Sequence, residues 1–154
     1  SDWLPRSLRK KMRQIEVAMR SLEQKLGCPP SEPEIAKELN ISLEEYHEAL
    51  QDARGGQLIY YEDFQDDDED HFLDRLCSDS GNEPLEILVD KNLSELLVAA
   101  IDKLPIREKE VMGMHYGQEM NLREIGEVLG VSESRVCQLH TQAIARLRSK
   151  LRNS

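Results

Sequence analysis

The sequence is poor in the residues that build most small functional centres. Its three cysteines, Cys28, Cys77 and Cys137, are odd in number and far apart, which indicates neither a disulfide framework nor a metal-ligand cluster. Reduced thiols in a cytoplasmic protein are the expectation. His47, His71, His115 and His140 are scattered without ligand spacing, and there is no glycine-rich phosphate loop and no His-Glu-x-x-His motif. Each histidine reads as a surface or packing residue, so no metal or cofactor is expected and the chain is not expected to be an enzyme. One Trp, four Tyr and two Phe in 154 residues leave aliphatic helical packing as the source of a core. No stretch approaches the roughly 18 consecutive apolar residues of a membrane span. The chain opens Ser1-Asp-Trp-Leu-Pro-Arg6 rather than with a basic and then apolar leader, so neither export nor a membrane is expected, and the missing initial Met suggests a fragment.

What is abundant is acid, and it is concentrated. The net charge of −10 divides into −1 over residues 1–54, −11 over 55–90 and +2 over 91–154. Residues 1–20 hold 6 basic and 2 acidic side chains, and residues 133–154 hold 5 and 1. Two basic surfaces therefore survive an acidic total, and nucleic acid is not excluded as a partner.

Apolar residues at Leu8, Met12, Ile15, Met19, Leu22 and Leu26 alternate steps of four and three, which predicts one helix face. Gly27, Pro29 and Pro30 stop it. Ser31 with Glu34 and Ser42 with Glu45 match the capping-box pattern and open two more helices, the last ending near Ala53. From Gly55 to Pro84 the chain holds Asp66-Asp-Asp-Glu-Asp70 and no helical pattern, and reads as a linker. A helical pattern resumes from Leu85 to Leu104, and three further helices are predicted at about 106–116, 121–129 and 132–150. The expectation is an all-α protein of two small helical domains, a three-helix domain at 1–54 and a four-helix domain of helix-turn-helix type at 85–154, joined by an acidic linker at 55–84.

The strongest signal is the run from Leu122 to Thr141, which reads as a helix-turn-helix. Gly126 is the small residue where the helices cross, and Gly130 supplies the positive φ of the turn. Ile125, Leu129, Val131, Val136 and Leu139 face the core, and Ser132 caps the second helix. Gly126→Leu is expected to overpack the pair and Gly126→Ala to be tolerated. A second helix of this kind presents its N-terminal residues to base edges in the major groove. The outward set is Glu133, Ser134, Arg135, Cys137, Gln138 and Thr141, with Gln142 one step on. Arg can read guanine and Gln adenine, each bidentately, while Glu133 could accept from cytosine. Arg146, Arg148, Lys150 and Arg152 are expected to meet phosphates.

Glu34-Ile-Ala-Lys-Glu-Leu-Asn-Ile-Ser42 runs parallel to Glu124-Ile-Gly-Glu-Val-Leu-Gly-Val-Ser132, offset by 90 residues. In this first copy the second helix carries Glu44, Glu45, Glu48 and Asp52, which phosphates would repel, so the frame is expected to serve packing. The basic surface of this domain is Arg6, Arg9, Lys10 and Arg13 on the opening helix, a candidate DNA contact.

Several words of the sequence go beyond a generic helix-turn-helix: Asp2-Trp-Leu-Pro-Arg-Ser-Leu-Arg9, Leu22-Glu-Gln-Lys-Leu-Gly27, Leu104-Pro-Ile-Arg-Glu-Lys109, Asn121-Leu-Arg-Glu-Ile-Gly126, Ser132-Glu-Ser-Arg-Val-Cys-Gln-Leu-His140 and Gln142-Ala-Ile-Ala-Arg-Leu-Arg148. With them the chain resembles regions three and four of bacterial flagellar (motility) sigma factors. The resemblance implies a specificity subunit that binds core RNA polymerase, directs it to promoter DNA of motility and chemotaxis genes, and is held inactive by an anti-sigma factor. It implies that Glu133, Ser134, Arg135, Gln138 and Thr141 read the minus-thirty-five element, and that Arg6, Arg9, Lys10 and Arg13 touch DNA just upstream of the minus-ten element. It also implies that the acidic linker threads the polymerase cleft. A preceding domain that melts the minus-ten element has no counterpart in this sequence, so the chain is not expected to support transcription by itself. Two other readings are a response-regulator output domain, which leaves residues 1–54 unexplained, and a protein-interaction module whose basic helices bind acidic protein. The acidic linker is further expected to compete with DNA for the basic surfaces at low salt.

Overall fold

The computed structural model describes residues 6–53 and 91–152, with side chains over 10–53 and 95–151. The acidic linker, its expected competition with DNA and residues 85–90 lie outside the described residues. The described residues form helices joined by turns and short connections. The first group contains α1 (Arg6–Leu26), α2 (Glu32–Leu39) and α3 (Leu43–Asp52), and the second contains α4 (Lys91–Asp102), α5 (Ile106–Met112), a π-helical turn (Gly113–Gly117), α6 (Leu122–Leu129) and α7 (Glu133–Arg152).

The predicted start signals operate as hydrogen bonds. At α2 the Glu34 amide donates to Ser31 Oγ (3.3 Å) and the Ser31 amide to Glu34 Oε1 (2.8 Å). At α3 both bonds between Ser42 and Glu45 are 3.0 Å. A third box, unpredicted, joins Asn121 and Glu124 at α6, because Asn carries the same side-chain acceptor as Ser. Each satisfies two amides that a helix start would leave without partners.

The 90-residue repeat is also geometric. Asn40 ends α2 at φ 61° and Gly130 ends α6 at φ 73°, both left-handed. The Ile41 amide donates to the Ala36 carbonyl at 3.0 Å, and the Val131 amide to the Gly126 carbonyl at 3.0 Å. One turn thus serves both halves, with Asn and Gly alternative solutions to the same backbone demand.

Met12, Ile15, Met19, Ile35, Tyr46 and Leu50 form the first group's core, with Leu22 packed at its edge. Leu26, assigned to the same stripe, is 46% exposed because the chain turns away at Gly27 (φ 75°) one residue later. Val111, Ile125, Val136 and Leu139 close the helix-turn-helix, flanked by Leu129 and Val131. The helix expected over about 106–116 departs from α geometry at Gly113, where it widens into a π turn that His115 holds through Nδ1 to the Met120 carbonyl (2.9 Å). Helix α7 touches α4, α5 and α6 of its own group and also α1 and α3 of the first. Ala145 of α7 belongs to the first group's core. The two groups are packed together along this helix.

Gly126 is the crossing residue, and tighter than expected. A Cβ there would lie 2.7 Å from the Val131 carbonyl oxygen, which is backbone and cannot rotate aside. The expectation that Gly126→Ala is tolerated is therefore corrected. The variant should lose about 1 kcal/mol or more of stability, a loss smaller than that of Gly126→Leu, whereas Gly113→Ala, with nothing within 4 Å, serves as a control for helix propensity. Thermal melts of the three variants check this, and a Gly126→Ala melt equal to the parent would contradict it.

Candidate nucleic-acid interface

Helix α7 begins with a half-formed cap. The Arg135 amide donates to Ser132 Oγ at 3.0 Å, as Glu45 does to Ser42 in the first copy, but position 135 holds an arginine in place of the carboxylate that would complete the box. The local consequence is a cation, projecting from the first turn of the helix, whose partner must come from elsewhere.

That partner is in the first group. Arg135 Nη2 lies 3.0 Å from both Oε1 and Oε2 of Glu32. His47 Nε2 lies 3.0 Å from the same Oε1; a carboxylate only accepts, so Nε2 carries the hydrogen. Burial alone would push the Glu32 carboxyl up, but the bond from His47 and the charge and the single bond of Arg135, to Oε1, outweigh it and hold it below the usual carboxylate range. Arg135 Nη1 also donates to Gln138 Oε1 at 3.2 Å. Deeper along the helix, the Tyr46 hydroxyl donates to Gln142 Oε1 (2.7 Å), Gln142 Nε2 donates to Glu108 Oε2 (2.7 Å), and Arg146 Nε reaches Glu108 Oε1 at 2.8 Å. Burial keeps the Tyr46 hydroxyl protonated as a donor and is the leading influence on Glu108, raising its carboxyl against the opposing pull of Arg146 and Gln142. Arg148 pairs with Glu16 at 3.4 Å, both side chains 3% exposed, and Lys150 with Glu23 at 3.4 Å.

The sequence-predicted residues therefore divide into three sets. Glu133 and Ser134 are exposed at the helix start. Arg135 is partly buried against the first group, Gln138 is partly buried and bonded to Arg135, and Thr141, Gln142 and Cys137 are buried, contrary to their assignment as outward-facing; α1 and α3 pack on α7, and Tyr46 of α3 bonds Gln142. Arg146 and Arg148, expected at phosphates, are buried in ion pairs, since Glu108 and Glu16 stand where phosphates were expected. Lys10 and Arg13 are exposed on α1 and line a groove with Gln14, Val17 and Glu38; the side chains of Arg6 and Arg9 lie outside the described residues. The residues missed were Glu16, Glu32, Tyr46, His47 and Glu108. Only Glu108 carried a local signal, as part of Leu104-Pro-Ile-Arg-Glu-Lys109. In that motif Leu104 is buried, Pro105 precedes α5, Arg107 Nη1 donates to the Leu129 carbonyl (3.2 Å) and Lys109 Nζ to Asp102 Oδ1 (2.7 Å).

Comparison with known proteins agrees with this geometry. Residues 10–86 match Sigma-70 region 3, half of the chain, and residues 100–149 match Sigma-70, region 4. The chain belongs to the sigma-70 family. Among its sigma-factor relatives, the RNA polymerase sigma factor FliA of Yersinia enterocolitica is 43% identical over 99% of this chain, that of Pseudomonas aeruginosa 46% over 97%, and the sigma-D factor of Bacillus subtilis 31% over 97%. The chain spans 60 to 66% of the length of these sigma factors. A cocrystal structure of the flagellar sigma/anti-sigma complex Sigma-28/FlgM aligns over the whole chain and 65% of its own, at 33% identity and a TM-score of 0.51. Among the described residues no group of His, Cys, Asp and Glu could hold a metal ion, and no helix is long and apolar enough to cross a membrane.

The depressed Glu32 carboxyl fixes the sign of a pH effect. Its ionised form contributes stability that is present above the unfolded carboxylate pKa and is lost as pH falls through the lower folded value. Glu108 has the opposite sign: its ionised form is penalised above the raised folded value, and that penalty is relieved as pH falls through it. The stability difference between parent and Glu32→Gln, from urea unfolding, should be largest at neutral pH and shrink below about pH 4. A difference constant down to about pH 3 would show that the Glu32 charge contributes nothing.

Proposed function

We propose that this chain is the promoter-recognising part of an RNA polymerase sigma factor for flagellar and chemotaxis genes, with residues 1–54 as region three, 55–84 as the acidic linker and 85–154 as region four. It acts as a specificity subunit, not an enzyme, in the cytoplasm, with core RNA polymerase and promoter DNA as partners and an anti-sigma factor as regulator. The observation that carries this reading is the helix-turn-helix of α6 and α7, which the region 4 match covers up to residue 149, with Glu133, Ser134, Arg135 and Gln138 on its second helix. The FliA relatives and the Sigma-28/FlgM neighbour support the flagellar class and the anti-sigma partner.

In the opened molecule α7 enters the major groove of the minus-thirty-five element. Arg135, Gln138, Thr141 and Gln142 then face bases or phosphates beside Glu133 and Ser134, while Arg6, Arg9, Lys10 and Arg13 of α1 approach DNA upstream of the minus-ten element. Thr141 supports the need for opening. Its hydroxyl is buried without a hydrogen-bond partner among the described residues, an arrangement that costs about 1 to 3 kcal/mol and is relieved when the groups part.

Binding to a labelled duplex carrying the preferred site, against a random duplex across a salt series, tests the reading. Arg135→Ala and Gln138→Ala should each lower the preference for the preferred duplex over the random one by about 1 to 3 kcal/mol, a difference that is unaffected by how far either variant opens the molecule. Equal losses on both would reduce these side chains to phosphate contacts, and no duplex binding at any salt would favour the protein-interaction alternative.

A further inference from the structure

We infer that Glu32, a region three residue outside the helix-turn-helix, is an internal competitor of DNA for Arg135 and so sets the promoter affinity of region four. The inference rests on the proposed DNA role of α7 and adds the residue that opposes it. Arg135 offers a fork of donors, and what it meets in this structure is an acceptor-only group, with both carboxylate oxygens 3.0 Å from Nη2. The edge of guanine in the major groove, with O6 and N7, and the oxygens of a phosphate present acceptors of the same kind. The carboxylate is held in place: His47 Nε2 donates to Oε1 from α3, so Glu32 approaches Arg135 in one orientation. Since Arg135 Nη1 also donates to Gln138 Oε1, the amide best placed to read the neighbouring base is ordered by the same contact.

One guanidinium cannot serve Glu32 and a base edge together. The helix carrying it cannot enter a groove while α1 and α3 are packed against it and Cys137, Thr141 and Gln142 along it are buried. DNA binding must therefore break the Glu32 contact, and measured affinity is the intrinsic affinity reduced by the fraction of molecules that are open. The second tie at this surface, the Tyr46 hydroxyl on Gln142, involves no net charge and opens in the same step.

Buried Cys137, on the same helix and only 1% exposed in the closed molecule, reports opening without any DNA. Glu32→Gln in the full chain should raise the rate of Cys137 alkylation by N-ethylmaleimide several-fold, followed on the peptide that carries it. It should raise affinity for the preferred duplex by a similar factor. Tyr46→Phe, which removes one hydroxyl and no charge, should act in the same direction. Glu48→Gln removes the same charge from exposed α3 surface and should leave Cys137 labelling unchanged. In an Arg135→Ala background, Glu32→Gln should add nothing to labelling. Circular dichroism at the labelling temperature separates opening from unfolding. Unchanged labelling and affinity in folded Glu32→Gln, with Arg135-dependent duplex binding intact, would overturn the competition alone. Raised labelling with no duplex bound by any variant would overturn the DNA reading of α7, and the competition with it.

Discussion

A helix of 20 residues cannot show one face to a protein surface and to a DNA groove at the same time, and α7 is built for both. From His140 to Ser149 every residue is buried, yet Thr141, Gln142, Arg146, Arg148 and Ser149 are polar or charged. A helix destined for permanent burial would be apolar around its circumference. Here partners offset the burial, Tyr46 and Glu108 for Gln142, Glu108 for Arg146 and Glu16 for Arg148, while the Thr141 hydroxyl is left without a hydrogen bond among the described residues. Interfaces of this polar kind, like those between domains that move, part more readily than apolar cores. The rest of the structure follows from that compromise.

The two halves use a single frame for opposite ends. Capping boxes, the left-handed turn and the amide bond back to Ala36 or Gly126 recur at an offset of 90 residues. The difference lies in what the second helix presents. In the first half, position 45 is a glutamate that closes its own cap; in the second, position 135 is an arginine that leaves the cap half open and reaches outward. The crossing residue differs as well. Ala36 carries a methyl where Gly126 has none, and at Gly126 a Cβ would stand 2.7 Å from Val131 O.

Periodicity and capping residues made most of the fold legible. The helix starts at Ser31 and Ser42, the turn at Gly130 and the core positions Ile125, Val136 and Leu139 are local features with local causes, and they stand where the pattern put them. Legibility ended where a residue's partner lies far along the chain. Nothing near Glu32 in sequence indicates that it meets Arg135, 103 positions away, or that Glu16 meets Arg148. Cys137, Thr141 and Gln142 were assigned outward from helical geometry within their own domain. That geometry holds, but a second group of helices occupies the outward side. The π turn was hidden because Gly113 and Gly117 are compatible with a continuous helix, and the bond that holds it, His115 to the Met120 carbonyl five residues on, follows no helix-periodic pattern.

The central claim is that the first group leaves α7 when DNA arrives, and the distance between the groups tests it most directly. Exposed Cys28 marks the first group, and exposed Glu127 on α6, changed to cysteine, marks the second. With Cys77→Ser, and with Cys137 shielded by burial, spin labels at these two positions report the separation by pulsed electron resonance. The account predicts one short-distance population for the free chain, replaced by longer distances in proportion to the preferred duplex bound. A short-distance population that persists unchanged at saturating duplex would contradict it.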